Sequence, residues 1–328
     1  MVLLVSIIVI ALAFDFTNGF HDTANAIATT VSTRALRLRV AVAMAAVMNL
    51  VGALVGQKVA QTVGKGIIAT GHVTQTVVLA ALLGAIVWNL ITWYWGIPSS
   101  SSHALIGGLI GAAVAASGFH SVQWGGVLQK VVLWMFLSPM IGFAVAFALM
   151  IMLIWIVRDR APAPVNRTFR ILQIFSAAGM AFAHGTNDAQ KTMGVMTLAL
   201  LAAGKISTFS IPIWVILLAA AAMAGGTLSG GLRIIHTVGS KVMKLDPIHG
   251  FAAQTGAASV ISVMSLVFGY PISTTHAITA AVMGAGSTQR LSAVRWGVAG
   301  DIVSAWIFTL PAAALVGAGV YELISAFS

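Results

Sequence analysis

The chain contains no cysteine, so a disulfide framework and a thiolate metal site are both excluded. Charge is nearly as scarce: 7% of the 328 residues are Asp, Glu, Lys or Arg, against about 25% in a soluble domain. With 59% apolar residues, that deficit excludes both a soluble globule and a disordered chain. Period-two alternation is missing, which excludes an outer-membrane barrel. No Walker or dinucleotide fingerprint occurs, so nothing in this chain binds ATP to drive work. The eight histidines lack the spacing of a zinc helix. No basic residue precedes the first apolar run, so Ala11-Leu12-Ala13 reads as part of a membrane segment rather than a leader cleavage site. Acidic residues number seven against 17 basic ones. The basic residues sit in short loops, which is the positive-inside pattern of a lipid-embedded protein and not a nucleic-acid patch.

What is present is a series of long apolar blocks. About 20 such residues span a bilayer as helix. Ten segments qualify: 1–33 (interrupted near 15–22), 40–62, 74–95, 99–117, 127–157, 170–203 (interrupted near 184–188), 210–232, 249–268, 273–287 and 295–322. The polar stretch Arg158-Asp159-Arg160-Ala161-Pro162-Ala163-Pro164 divides them five and five. The expected organisation is an N-terminal repeat over 1–157, a cytoplasmic linker over 158–169 and a C-terminal repeat over 170–328. An odd number of segments per repeat makes the second enter the membrane from the opposite side. Loop charges agree. One side collects Arg34, Arg37, Arg39, Arg158, Arg160, Arg167, Arg170, Arg233, Lys241, Lys244, Arg290 and Arg295, twelve in all. The other collects four, Lys58, Lys65, Lys130 and Lys205. With the richer side cytoplasmic, both termini lie outside. The fold class is therefore all-α: a polytopic transmembrane bundle with two inverted-topology repeats and broken or re-entrant helices.

Two motifs occur twice. Gly96-Ile97-Pro98-Ser99-Ser100-Ser101-Ser102-His103 is echoed by Gly269-Tyr270-Pro271-Ile272-Ser273-Thr274-Thr275-His276. Gly19-Phe20-His21-Asp22 is echoed by Gly185-Thr186-Asn187-Asp188. One hydroxyl suffices to cap a helix; runs of three or four at a proline-fixed helix N-terminus, with its free amides and positive dipole, make a cradle for a tetrahedral oxyanion. That chemistry points to Ser100, Ser101, Ser102, Ser273, Thr274 and Thr275 as substrate ligands. A carboxylate in apolar sequence is costly unless it handles a polar cargo. Asp22 and Asp188, with the neutral oxygens of Asn18, Asn25 and Asn187, suit a hard cation or a proton. For Asp15 and Asp301 structural and functional readings stand level. His103 and His276 read as neutral supports of the hydroxyl runs. Duplicated, interrupted helices around polar motifs read as a secondary transporter.

These residues resemble the PiT family of inorganic phosphate transporters. Gly19-Phe20-His21-Asp22-Thr23-Ala24-Asn25-Ala26 is similar to the family signature G-A-N-D-x-x-N-A, and His184 to Lys191 is similar to its second copy in bacterial members. The resemblance spans nearly the whole chain. It implies a symporter of the cytoplasmic membrane, not an enzyme, working by alternating access without a cofactor. Phosphate would be held by Ser100 to Ser102, Ser273 to Thr275 and Lys191. Cation coupling would fall to Asp22, Asn25, Asn187 and Asp188, with Asp22, Asn25 and Asp188 as metal ligands if the ion is sodium. The chain departs from the pattern at His21, which replaces an Asn, and at Lys191, which replaces the last Asn of the second copy. Asn49 and Gln254 stand where sodium-coupled animal members carry Glu. Fewer carboxylates favour a proton over sodium. A sulfate permease on the same scaffold and a passive anion channel are the alternatives. The lipid bilayer is the expected surrounding partner, nucleic acid is not, and a homo-oligomer stays open.

Overall fold

A computed structural model describes residues 1–230, 234–235 and 237–327. Arg233 and the end of the segment 210–232 lie outside them, as does the side chain of Lys241. The described chain is helical, with a single isolated bridge between Ile68 and Val122. The helices are α1 (Val2–Ser32), α2 (Leu38–Ala53), α3 (Lys58–Gly66), α4 (Gln75–Trp95), α5 (Ser101–Ser117), α6 (Trp124–Val157), α7 (Pro162–Ala202), α8 (Ile213–Ser229), α9 (Pro247–Phe268), α10 (Thr274–Ser287) and α11 (Trp296–Ala326). Among the described residues, α1, α4, α6, α9 and α11 are each long and apolar enough to cross a membrane; α2 and α3 qualify together but are bent by 69°. This is a multi-pass membrane protein.

Two expectations need correction. The interruptions near 15–22 and 184–188 do not exist: α1 and α7 run unbroken through both acidic motifs. The motif glycines are packing points instead of breaks. A Cβ on Gly19 would lie 2.4 Å from the Met223 carbonyl oxygen of α8, and one on Gly185 would lie 2.2 Å from that of Asn49 in α2. Small residues let two backbones approach where lipid offers no hydrophobic drive. The second correction concerns the linker. Helix α7 starts at Pro162, because proline at a first helical position forfeits only an amide that has no partner there. Only residues 158–161 separate the halves.

Helices α4 and α5 fold back on each other. Gly96 closes α4 in the left-handed region at φ +66, and α5 returns after Pro98. The chain entering α4 bonds the chain leaving α5: Ala69 N–H donates to Ser121 O at 2.9 Å and Gln123 N–H to Ile67 O at 2.9 Å. Helices α9 and α10 repeat the design. Gly269 has φ +70, and the mouth is tied by Arg295 N–H to Val242 O at 3.0 Å. Each is thus a helical hairpin whose mouth and tip lie at opposite ends.

Two apolar cores enclose a polar layer. Helix α1 passes from the first core (Leu4 to Phe14) through Asp15 to Thr23 into the second (Ala24 to Ala28). Helix α7 runs the other way, from Phe169–Ala183 of the second core through His184–Asp188 to Ala189–Leu200 of the first. The first hairpin packs in the first core and the second in the second, so their tips meet at the polar layer. Helix α5 lies against α11, and α10 against α6. Each hairpin is thereby clasped by the last helix of the other half.

Candidate functional site

The site forms where both hairpin tips touch α1 and α7, and all its side chains are buried. In each tip one hydroxyl caps its helix. Ser100 Oγ accepts from His103 N–H and Ser273 Oγ from His276 N–H, both at 3.2 Å. A hydroxyl that accepts in this way keeps its own proton to donate. The remaining hydroxyls reach the charged groups. Ser101 donates to Asp22 Oδ2 at 2.5 Å and Thr275 to Asp22 Oδ1 at 3.5 Å. Thr274 donates to Asp188 Oδ2 at 3.0 Å. Lys191, buried like its partners, donates to Ser102 Oγ, to Asp188 Oδ1 and, at 3.1 Å, to Ile272 O.

Each carboxylate also holds a histidine. His21 Nδ1 lies 2.7 Å from Asp22 Oδ1, and its Nε2 lies 3.1 Å from Thr92 Oγ1. His184 Nε2 lies 3.0 Å from Asp188 Oδ2, and its Nδ1 lies 3.0 Å from Asn49 Oδ1. The asparagines bridge the motifs. Asn25 Nδ2 donates to Thr275 at 2.9 Å and Thr274 at 3.3 Å, and Asn187 Nδ2 donates to Asp188 Oδ1 and Ile272 O, both at 2.8 Å. The Oδ1 atoms of Asn25 and Asn187 accept no hydrogen bond. Asp22, His184 and Asp188 each present one ligand atom within 4.8 Å of the others, close enough to share a cation.

The structure therefore brings both hydroxyl runs, Lys191, Asp22, Asn25, Asn187 and Asp188 into one cluster, and leaves Asn18 out of it. Asn18 and Asp15 are buried on α1 outside that hydrogen-bond network, and Asp301 is exposed. His103 and His276 touch ring to ring at 4.9 Å, and His276 stacks on Trp306 at 4.1 Å. Sequence reasoning missed three participants. His21 and His184 were in view, and the i, i+4 spacing of His184 and Asp188 on a helix was the available signal. The Ile272 carbonyl, freed by the turn before α10, has no signal in side-chain sequence.

A helical membrane protein with two opposed hairpins meeting on an oxyanion- and cation-competent cluster is built as a carrier of a polar solute. The phosphate transporter family profile matches residues 18–317, and this chain belongs to that family. A probable low-affinity inorganic phosphate transporter of Rhizobium meliloti is 52% identical over 321 residues, 97% of this chain and 96% of its own. One of Bacillus subtilis is 47% identical over 328 residues, covering 99% of this chain and 98% of the relative. A solved structure described as the sodium-dependent phosphate transporter superposes over the whole of both chains with a TM-score of 0.91 at 26% identity. The family and these relatives are transporters, not enzymes.

Proposed function

We propose that this protein carries inorganic phosphate across the cytoplasmic membrane in symport with a cation, by alternating access of two inverted repeats. One observation carries the reading: the tip hydroxyls donate to the same two carboxylates that would oppose an anion. When phosphate takes over the donors Ser101, Thr274 and Thr275, Asp22 and Asp188 face it uncompensated. Like charges about 4 Å apart repel by about 4 kcal/mol at an effective dielectric of 20. Phosphate binding thus requires the carboxylates to be neutralised. Lys191 supplies one fixed positive charge at Asp188, and a transported cation supplies the rest.

The pairing of each carboxylate with a histidine favours the proton as that cation. Histidine is the side chain that exchanges protons near neutral pH. Sodium is the second reading. It is favoured by the free Oδ1 atoms of Asn25 and Asn187 and by the sodium-dependent structural neighbour. Phosphate is favoured over sulfate because a protonated phosphate donates a hydrogen bond to a carboxylate and sulfate only accepts. Orientation follows the positive-inside rule: the arginine-rich loops face the cytoplasm, and the termini lie outside.

The test is uptake of labelled phosphate into proteoliposomes with proton and sodium gradients imposed in turn. Accumulation driven by the proton gradient, and lost in Asp22→Asn, is the expected result. Accumulation driven by sodium alone selects the second reading. Flux that ignores both gradients would make the protein a passive channel.

A further inference from the structure

We infer that the lysine-bearing face holds a second oxyanion site, an outer waiting position for phosphate before it reaches the hydroxyl tips. This inference rests on the transport reading above. Lys58 and Lys65 of α3 and Lys130 of α6 converge on one concavity of about 470 Å³, lined also by Gln61, Thr62 and Gln123. No carboxylate lines it, and among the described residues none of the three lysines forms an ion pair. Three lysines lining one hollow with no carboxylate make its potential positive, which favours an anion there. The membrane rule deepens the anomaly. The outer side is depleted in basic residues, yet three of its four lysines turn into this one hollow.

The lysines are held there. Lys58 Nζ donates to Val267 O at 3.0 Å, and Lys65 Nζ sits 5.4 Å from the centre of the Phe209 ring. Gln123 Nε2 bonds Lys65 O and Ile68 O, both at 3.0 Å, fixing the floor. The hollow adjoins the transport machinery on two sides. Val59 N–H, next to Lys58, donates to Gln190 Oε1 at 2.9 Å, and Gln190 precedes Lys191. Val267 lies at the root of the second tip, just before Gly269. An anion bound here sits beside the segment that Gln190 ties to the helix bearing Lys191. The chemistry fits a phosphate-type oxyanion, whether free phosphate or the headgroup of an anionic lipid.

The experiment measures phosphate uptake by Lys65→Gln/Lys130→Gln in proteoliposomes of phosphatidylcholine at low ionic strength. Lys58 is left intact because it also ties the hairpin. The expected result is a KM raised about three- to tenfold with Vmax unchanged, a penalty that shrinks as salt screens the pocket. Lys65→Arg/Lys130→Arg should restore the wild-type KM, and Lys205→Gln, outside the hollow, should leave it unchanged. A penalty that persists when phosphatidylglycerol is added assigns the pocket to free phosphate. A penalty that vanishes assigns it to the lipid headgroup and overturns the waiting position for phosphate. A wild-type KM in the double Gln variant, or an equal rise in Lys205→Gln, overturns the site. Wild-type protein that fails to move phosphate under any gradient would instead refute the transport reading.

Discussion

At the residue scale, the site is a set of exchangeable hydrogen bonds around two carboxylates and one ammonium. Ser101→Ala with Thr274→Ala removes one donor from each tip while leaving the caps at Ser100 and Ser273 in place. A hydrogen bond to a charged group contributes about 1.5–3 kcal/mol. Phosphate affinity of the purified double variant, read by calorimetry, should fall at least about tenfold, and the melting temperature should fall too, because the same two donors satisfy Asp22 and Asp188 when phosphate is absent. The two aspartates differ in their neighbours. Asp188→Asn leaves Lys191 buried with its counter-charge gone, and breaking one side of a buried ion pair costs about 3–5 kcal/mol. Asp22 pairs with His21 and with the hydroxyls of Ser101 and Thr275, with no lysine or arginine bonded to it. In a thermal-shift assay Asp188→Asn should melt well below wild type, Asp22→Asn should not, and Asp188→Asn/Lys191→Met should recover part of the loss. The members of this cluster were partly legible in sequence. Hydroxyl runs and paired acids announced themselves by being out of place in apolar chain. The partners did not, because Thr275 reaches Asp22 across 253 positions.

At the element scale, the hairpins depend on turns and caps that position their tips. Gly269 sits at φ +70, and a Cβ there would lie 2.7 Å from the Cβ of Lys58. Gly269→Ala therefore adds left-handed strain of about 1–2 kcal/mol to a clash with α3. A lowered melting temperature with reduced phosphate binding is the expected outcome, since the same turn frees Ile272 O for Lys191. The mouth of this hairpin is capped by Asp246, whose carboxylate accepts from His249 N–H at 3.0 Å and contacts its Nδ1 at 2.6 Å. Partial burial pushes that carboxyl up, but the hydrogen bonds and charge of His249 and the amide of Ile248 outweigh it and hold it below its usual 3.8. A group held low when folded stabilises above its unfolded value, and that contribution is lost as pH falls through the folded one. Wild type should thus lose more thermal stability between about pH 5 and pH 3 than Asp246→Asn, which starts lower and changes less. Helix limits were readable to a few residues from apolar runs. Continuity of α1 and α7 was not: polar residues with glycine look like a break until neighbouring helices are seen to satisfy them.

For the whole molecule, the proposed transport cycle needs the two halves to face opposite ways. Single cysteines can be added without a background, since the chain has none. Positions 120 and 163 are both exposed; they belong to the lysine-rich and arginine-rich ends. A membrane-impermeant maleimide should label a cysteine at 120 in intact cells and one at 163 only after the membrane is opened. Labelling of both from one side would rule out inverted repeats. The sequence by itself determined that this is a helical membrane protein, that its polar motifs occur twice, and which residue types stand as candidates for holding an oxyanion and a cation. Apolar length, charge bias and repeated motifs are local properties, and local properties are written in the chain. Only the tertiary structure decided that the Pro-Ser/Thr segments fold back as hairpins, that both tips close on Asp22 while the second also reaches Asp188, and that each carboxylate has a histidine beside it. It alone gathered three lysines into one hollow. Those are contacts between elements far apart in sequence, fixed by how two apolar cores pack around one polar layer.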